Sequence, residues 1–351
     1  MTPRSPRGGG SVRTKLVIGM AAGFGSWWAL NRLARARRRI DLRGRTALVT
    51  GGSRGLGLAI AREFMSQGAN VAICARDEKE LKLAEKDLAA RGRGRVQTIV
   101  CDLTKPDEIK SMVSDVESHF GGIDMLVNNA GTILVGPESV MHAEDYEHAM
   151  AVNFWAAVYT VQAALPAMRS RGNGRIVNIG SVGGKMPVPH LLPYCASKFA
   201  LVGFSTGLRA ELAADGILVS TINPGLMNTG SPRNAGFKGK HQAEYAWFSI
   251  SDALPGLSMS AATAARRIVD AAVHGDAEVT IGLPAKIGAT LYALAPSAFA
   301  EVSSLFSKLL PSAPEGGSST KPGRESESIA TRSFLRDRGH SAEQDYNQLN
   351  D

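Results

Sequence analysis

The chain has 351 residues, of which 44% are hydrophobic and 21% charged, a composition that excludes a disordered or fibrous protein and suits one with a sizeable buried core. Its formal net charge of +8 is unevenly placed: residues 1 to 45 carry eleven Lys and Arg against Asp41 alone, a net +10, which leaves −2 for the remainder. The body of the protein therefore offers no basic face for nucleic acid, and Cys74, Cys101 and Cys195 show neither paired nor metal-ligand spacing, as expected of small apolar thiols in a reducing compartment.

In chain order, residues 1 to 15 are rich in Gly, Pro and Arg and are expected to be unstructured. Leu16 to Asn31 is an uncharged stretch of sixteen residues bracketed by Lys15 and Arg32. As a helix it would reach about 24 Å, short of a hydrocarbon core of about 30 Å, so it reads as a membrane-associating segment that needs snorkelling ends or an interfacial pose. Trp27 and Trp28 suit the headgroup zone, and the arginines from Arg32 to Arg39 suit anionic lipid. Two other readings are a helix docked on the protein itself and a cleaved signal peptide. The second fits less well, because the only A-x-A-like site, Ala34-Arg35-Ala36, contains an arginine.

From Thr46 onward β-rich runs alternate with helical ones. Strands are expected at 46–50, 70–75, 96–101, 123–128, 175–180, 217–222 and 278–282, with helices between them, including one continuous helix near 144–169 and another from about 194. Short apolar strands separated by helices imply an α/β, Rossmann-type, doubly wound parallel sheet of about seven strands, covered on both faces. Residues 286–311 form an apolar helical segment interrupted by Pro296, suited to core or subunit contact before membrane binding. The last forty residues lack apolar periodicity and are expected to be disordered. The predicted organisation is thus an extension (1–40), a catalytic body (41–285), a helical segment (286–311) and a tail (312–351).

Thr50-Gly51-Gly52-Ser53-Arg54-Gly55-Leu56-Gly57 follows the first strand and opens a helix, the context in which a glycine turn lets backbone approach a pyrophosphate. Gly51, Gly55 and Gly57 are the expected contacts. At the end of the second strand an acid would bond a ribose 2′-hydroxyl, whereas arginine would accept a 2′-phosphate. Arg76 stands there and Arg54 lies inside the turn, favouring NADP(H) over NAD(H). Asp77, the contrary observation, reads as a helix N-cap forming a capping box with Glu80. Far downstream, Tyr194 and Lys198 are four residues apart, on one helix face, so the ammonium can favour the phenolate and lower the tyrosine pKa. With Ser181 upstream, that pair points to proton transfer coupled to hydride transfer.

These motifs resemble, in order and over most of residues 44 to 282, the short-chain dehydrogenase/reductase family. The resemblance implies that Ser53 and Leu56 join the glycines at the cofactor and that Asp102 and Leu103 flank the adenine. It further implies that Asn129, Ala130 and Gly131 line the cofactor groove, and that Pro224, Gly225 and Thr229 fix the nicotinamide carboxamide. Tyr194 would be the general acid/base, Lys198 its partner and a ribose ligand, Ser181 the donor to the substrate oxygen, and Asn153 the holder of a water linking Lys198 to solvent. No metal is implied; His142, Glu144, Asp145 and His148 read as a solvated helix start. Family resemblance also implies a homodimer or homotetramer.

The substrate, a carbonyl or alcohol, is expected between Leu226 and Met259 and the loop from Val182 to Pro193. Met186, Val188, Leu191, Leu192, Met227, Tyr245, Trp247 and Phe248 make that region apolar, which suggests a lipid-, isoprenoid- or steroid-like compound. Lys238, Lys240 and His241 could face solvent or an anionic head. The alternative from another class is a non-catalytic, membrane-associated dinucleotide sensor or scaffold; the catalytic body is expected in the cytoplasm, held at a membrane through residues 16–39.

Overall fold

A computed structural model describes residues 29–254, 256–312, 317–328 and 343–348. The chain divides into two units, Met1–Ile40 and Asp41–Asp351. In the first, residues 29–37 are helical, with Leu30 and Leu33 exposed; most of the expected membrane segment lies outside the described residues. Among the described residues no helix is long and apolar enough to cross a membrane.

The second unit is built on a seven-stranded sheet whose strands all run parallel. These are β1 (Thr46–Thr50), β2 (Asn70–Ala75), β3 (Val96–Val100), β4 (Met125–Asn128), β5 (Gly174–Ile179), β6 (Ile217–Pro224) and β7 (Glu278–Ile281), in the spatial order β7-β6-β5-β4-β1-β2-β3. Central strands are largely apolar because both faces are covered; every residue of β1, β4 and β5 is buried. Leu48, Ala72, Cys74, Leu126, Ile176 and Val219 join one core cluster. The strand period of two sends their neighbours Val49, Ile73, Val127 and Val177 to the opposite face.

The helices are α1 (Gly55–Ser66), α2 (Glu78–Ala89), α3 (Pro106–Phe120), α4 (Ala143–Met150), α5 (Ala156–Arg171), α6 (Leu192–Glu211), α7 (His241–Ala253), α8 (Ala261–His274), α9 (Leu283–Leu294) and α10 (Pro296–Ser307). α1 packs on α2 and α8, whereas α3 packs on α5, and α4 on α6. Burying the side chains of Ile109, Met112, Val113 and Val116 from α3 against Val161, Ala164 and Met168 from α5 stabilises that layer by about 1.5–3 kcal/mol for each large residue.

Two expectations are corrected here. The helix predicted near 144–169 is not continuous: residues Ala151–Trp155 form a π-helical turn between α4 and α5, and the N–H of Ala156 reaches back to the Ala151 carbonyl. Such a wide turn is a recurrent device at functional sites, and periodicity alone does not reveal it. Nor is the tail wholly unstructured. Lys321–Pro322 pairs antiparallel with Gly236–Phe237, which pairs parallel with Leu134–Val135, and Gly323 and Ser326 are buried. Backbone pairing supplies there the order that apolar periodicity did not announce. After Gly282, Pro296 splits the predicted apolar segment into α9 and α10, on which Leu283, Ile287, Leu291, Leu294, Val302, Leu305 and Phe306 are exposed, as is Leu309 just beyond α10.

Candidate active site

In a doubly wound sheet the ligand crevice lies beyond the carboxyl ends of the strands, where the order reverses. Here that point is between β1 and β4. Thr50, last in β1, donates its hydroxyl to the Val127 carbonyl at 3.3 Å and accepts from the N–H groups of Asn129 and Ala130 at 3.0 and 3.1 Å. The Asn129 amide donates back to the carbonyls of Thr50 and Gly51 at 3.0 and 3.2 Å. One hydroxyl and one amide thus close the crevice floor, a role that the sequence did not announce for either side chain.

The turn from Gly51 to Gly57 needs its glycines for separate reasons. Gly51 and Gly55 hold φ of 63° and 57°, left-handed values that favour glycine. At Gly57 a Cβ would stand 2.1 Å from the Gly51 carbonyl oxygen. No side chain caps the start of α1, and a helix start without a side-chain cap is a cradle suited to a pyrophosphate. The residues therefore fit a dinucleotide at this end.

The second-strand terminus is less simple. Asp77 caps α2 as expected, accepting from the N–H groups of Lys79 and Glu80 at 2.7 and 3.0 Å. Glu80 does not close a capping box, however. Its carboxylate turns to the glycine turn and accepts from Ser53 Oγ and Arg54 Nη1, both at 2.8 Å. Arg54 is thereby partly neutralised, whereas Arg76 lies near enough to Asp102 to help hold that carboxyl below its ordinary value, after the larger effect of the Thr104 hydrogen bonds. Leu103 beside it is buried.

At the opposite end, α6 carries Tyr194, Ser197 and Lys198. Burial pushes the Tyr194 phenol up to about 12, against the opposing pull of its hydrogen bond with Ser181. Lys198, fully desolvated, is pushed down to about 8 and donates to the Ile179 carbonyl at 2.8 Å, with its nitrogen 5.9 Å from the centre of the Tyr194 ring. The phenol thus moves opposite to the lowering expected from the lysine, because loss of water disfavours the phenolate. Ser181 is itself fixed, accepting from the Gly183 N–H at 3.0 Å.

Asn153 lies in the π turn with its side chain wholly engaged. It accepts from the Thr132 N–H at 2.8 Å and donates to the Thr132 carbonyl at 3.0 Å and to Ser197 Oγ at 2.9 Å. It ties the segment after Gly131 to the helix bearing Tyr194, so its amide acts as a clamp between them. A Cβ on Gly131 would lie 2.9 Å from Asn153 Oδ1 and 3.6 Å from Lys198 Nζ. The four residues Asn153, Ser181, Tyr194 and Lys198 are thus brought to one place, with Gly131 and Ile179 between them.

Past Pro224, Gly225 donates to the Ile281 carbonyl at 2.9 Å and Thr229 is buried against Ser231. Around Tyr194 the structure gathers Val188, Leu191, Tyr245, Trp247 and Phe248, as expected, together with Ile133, Val135, Ala235 and Phe237, which were not. Leu192 instead faces outward and is 45% exposed. Lys238 is neither solvent-facing nor available to an anionic head: it is buried on Asp145 at 2.6 Å. Lys240 and His241 bond the hydroxyls of Ser312 and Ser326 at 3.2 and 3.0 Å. Two acids had no sequence signal at all. Glu244, fully buried, accepts from Trp247 at 2.6 Å and pairs with His190 at 2.9 Å, tying α7 to the loop before Tyr194.

The other is Asp252, which accepts from the Met227 N–H at 3.1 Å and is pushed up to about 7 by burial. A carboxyl whose folded pKa exceeds its ordinary value of 3.8 binds its proton more tightly when folded, so this site loses stability as pH rises from about 4 to about 7. Asp252→Asn keeps an acceptor for Met227 without the carboxylate charge. It is expected to raise Tm at pH 8 by on the order of 3 °C and to leave it nearly unchanged at pH 4, as calorimetry at both values would show. An equal shift at both would mean that the ionised carboxylate is not the cause.

Residues 45–237 match the family model described as short chain dehydrogenase. The chain is 35% identical over 190 residues to an uncharacterized oxidoreductase of Staphylococcus saprophyticus, covering 54% of this chain and 81% of the relative. Among solved structures it is similar to L-sorbose reductase of Gluconobacter frateurii complexed with NADPH and L-sorbose, with 28% identity, a TM-score of 0.62 and coverage of 69% and 97%. It also resembles a metagenomic short-chain oxidoreductase in complex with NADP, at 39% identity, a TM-score of 0.51 and coverage of 53% and 84%. The glycine turn at the end of β1, the parallel sheet with its reversal beside it, and the match over residues 45–237 agree: the chain belongs to the short chain dehydrogenase family of oxidoreductases.

Proposed function

We propose that the protein is an NADPH-dependent reductase of an apolar carbonyl compound, with Tyr194 as its proton donor. The observation that carries this reading is the meeting of Tyr194, Ser181 and Lys198: the Tyr194 phenol is hydrogen-bonded with Ser181, and the Lys198 nitrogen lies 5.9 Å from the centre of its ring, so a proton donor, an oxygen-binding hydroxyl and a cation stand together. When bound, the dinucleotide supplies the hydride. Gly51, Ser53, Gly55, Leu56 and Gly57 would hold its pyrophosphate, Asp102, Leu103, Asn129, Ala130 and Gly131 its adenosine side, and Pro224, Gly225 and Thr229 its carboxamide. Lys198 would bind the ribose with the N–H groups it does not give to Ile179, Ser181 would steady the substrate oxygen, and Asn153 would hold the helix bearing Tyr194 against the segment after Gly131. Val188, Leu191, Trp247 and Phe248 would wall the substrate, which favours a lipid-, isoprenoid- or steroid-like carbonyl over a small polar one.

The NADP preference falls to Arg76, since Arg54 is already paired with Glu80. A charge-assisted contact contributes about 1.5–3 kcal/mol, so Arg76→Asp is expected to weaken NADPH by about 10–150-fold while changing NADH little. Fluorescence titration with both cofactors checks this, and an unchanged NADPH affinity would transfer the role elsewhere. The same reading includes attachment of residues 16–39 to a membrane and pairing of subunits through the face where Trp155, Phe199 and Leu192 are exposed. Vesicle flotation and sedimentation of the chain with and without residues 1–40 measure both.

A further inference from the structure

The crevice that the dinucleotide reading assigns to the cofactor is bridged by the far end of this same chain. The Gly55 N–H, at the uncapped start of α1, donates to the carbonyl of Tyr346 at 2.9 Å. The Asn347 side chain donates to the carbonyls of Ser53 and Glu80 at 3.0 and 3.2 Å. On the other side of the crevice the Gln348 amide donates to the Thr229 carbonyl at 3.1 Å and accepts from Asn234. Gln348 is only 4% exposed, and the Arg62 guanidinium sits 5.3 Å from the centre of the Tyr346 ring.

These contacts are not those of a loosely resting terminus. Residues 343–345 form one helical turn, the Gln348 N–H closes on the Glu343 carbonyl at 2.8 Å, and Asn347 takes φ of 58°, a left-handed value that asparagine tolerates. The segment meets two places that are 170 residues or more apart in sequence, the turn at 53–55 and the loop at 229–234. Those are the two places a dinucleotide would have to join. The fit is steric as well: a Cβ at Gly55 would lie 2.8 Å from the Gln348 amide nitrogen, and one at Gly230 2.9 Å from Glu343 Cγ and 3.0 Å from Gln348 Cγ.

We propose that residues 343–348 are an autoinhibitory strap that competes with the dinucleotide for the Gly55 N–H and the Thr229 loop, so that the free enzyme must release its own C-terminus before it binds cofactor. This rests on the dinucleotide reading of the crevice. A carbonyl oxygen and a phosphate oxygen are both acceptors for a helix-start N–H, and the two cannot occupy it together. Being tethered, the strap competes at an effective concentration in the millimolar range. Apparent cofactor affinity then falls by the fraction of molecules that are open.

The test compares NADPH binding, by fluorescence titration, in the full chain, in a chain ending at residue 342, and in the full-length double variant Asn347→Ala/Gln348→Ala. Amide hydrogen exchange at Gly55 without cofactor is followed in parallel. The strap requires that both altered proteins bind NADPH at least about tenfold more tightly, which is about 1.4 kcal/mol, and that Gly55 exchange faster in both. A synthetic peptide of residues 341–351 should weaken NADPH binding to the shortened chain. Equal affinities and equal Gly55 exchange in all three proteins would overturn the strap while leaving the dinucleotide site intact. If none of them bound NADPH or NADH while Gly55 exchange still rose on truncation, the dinucleotide reading would fail and the strap, as a competitor of cofactor, would fall with it.

Discussion

Tyr194→Phe is expected to lower kcat for carbonyl reduction by about 10²–10⁴-fold, the range that a positioned proton donor contributes, while changing NADPH affinity by less than about threefold, since only the hydroxyl is lost. The geometry makes this a clean substitution. The tyrosine is half-buried and a phenylalanine ring fills the same space, and Ser181 keeps its bond from the Gly183 N–H. Asn153 and Ser197 remain bonded to each other at 2.9 Å, so the helix should not shift. Steady-state kinetics together with cofactor titration separates chemistry from binding. A variant as active as the wild type would remove Tyr194 from the mechanism, whereas a wild type that binds NADPH yet reduces no carbonyl would favour the sensor or scaffold reading.

Gly57→Ala should weaken the cofactor site by a different route. The added Cβ would lie 2.1 Å from the Gly51 carbonyl oxygen and 2.6 Å from Asn129 Nδ2, and backbone cannot yield as a flexible side chain does. Opening the turn costs about 1–3 kcal/mol of overpacking and strips the Asn129 amide from Thr50 and Gly51, which it bonds at 3.0 and 3.2 Å. NADPH affinity is expected to fall at least tenfold, about 1.4 kcal/mol, with a lower Tm. Gly207→Ala serves as the control. It sits inside α6 with nothing within 4 Å of the position a Cβ would take, so the same change there should stabilise by about 0.5–1 kcal/mol. Unaltered cofactor binding in Gly57→Ala would show that the turn can relax without using the contacts seen here.

The alternation of strands and helices was legible along the chain, because a parallel sheet covered on both faces demands largely apolar runs such as Ala47–Val49, and each run is local. The glycine turn and the Tyr194–Lys198 spacing were legible as well, since left-handed backbone and a shared helix face are properties of a few consecutive residues. What the sequence could not express were relations between distant segments. The pairing of Glu244 with His190, of Lys238 with Asp145 and of Glu80 with Arg54 depends on which helices meet, and a charged residue read alone looks solvated. The Tyr194 pKa went the opposite way from the sequence expectation for the same reason: spacing reveals the neighbouring ammonium, but only packing reveals how completely water is removed from both. The π turn at Asn153 and the return of Tyr346 to Gly55 complete the pattern. Composition correctly reports that the tail cannot build a core of its own, yet backbone and amide groups can still borrow a crevice that other parts of the chain have formed.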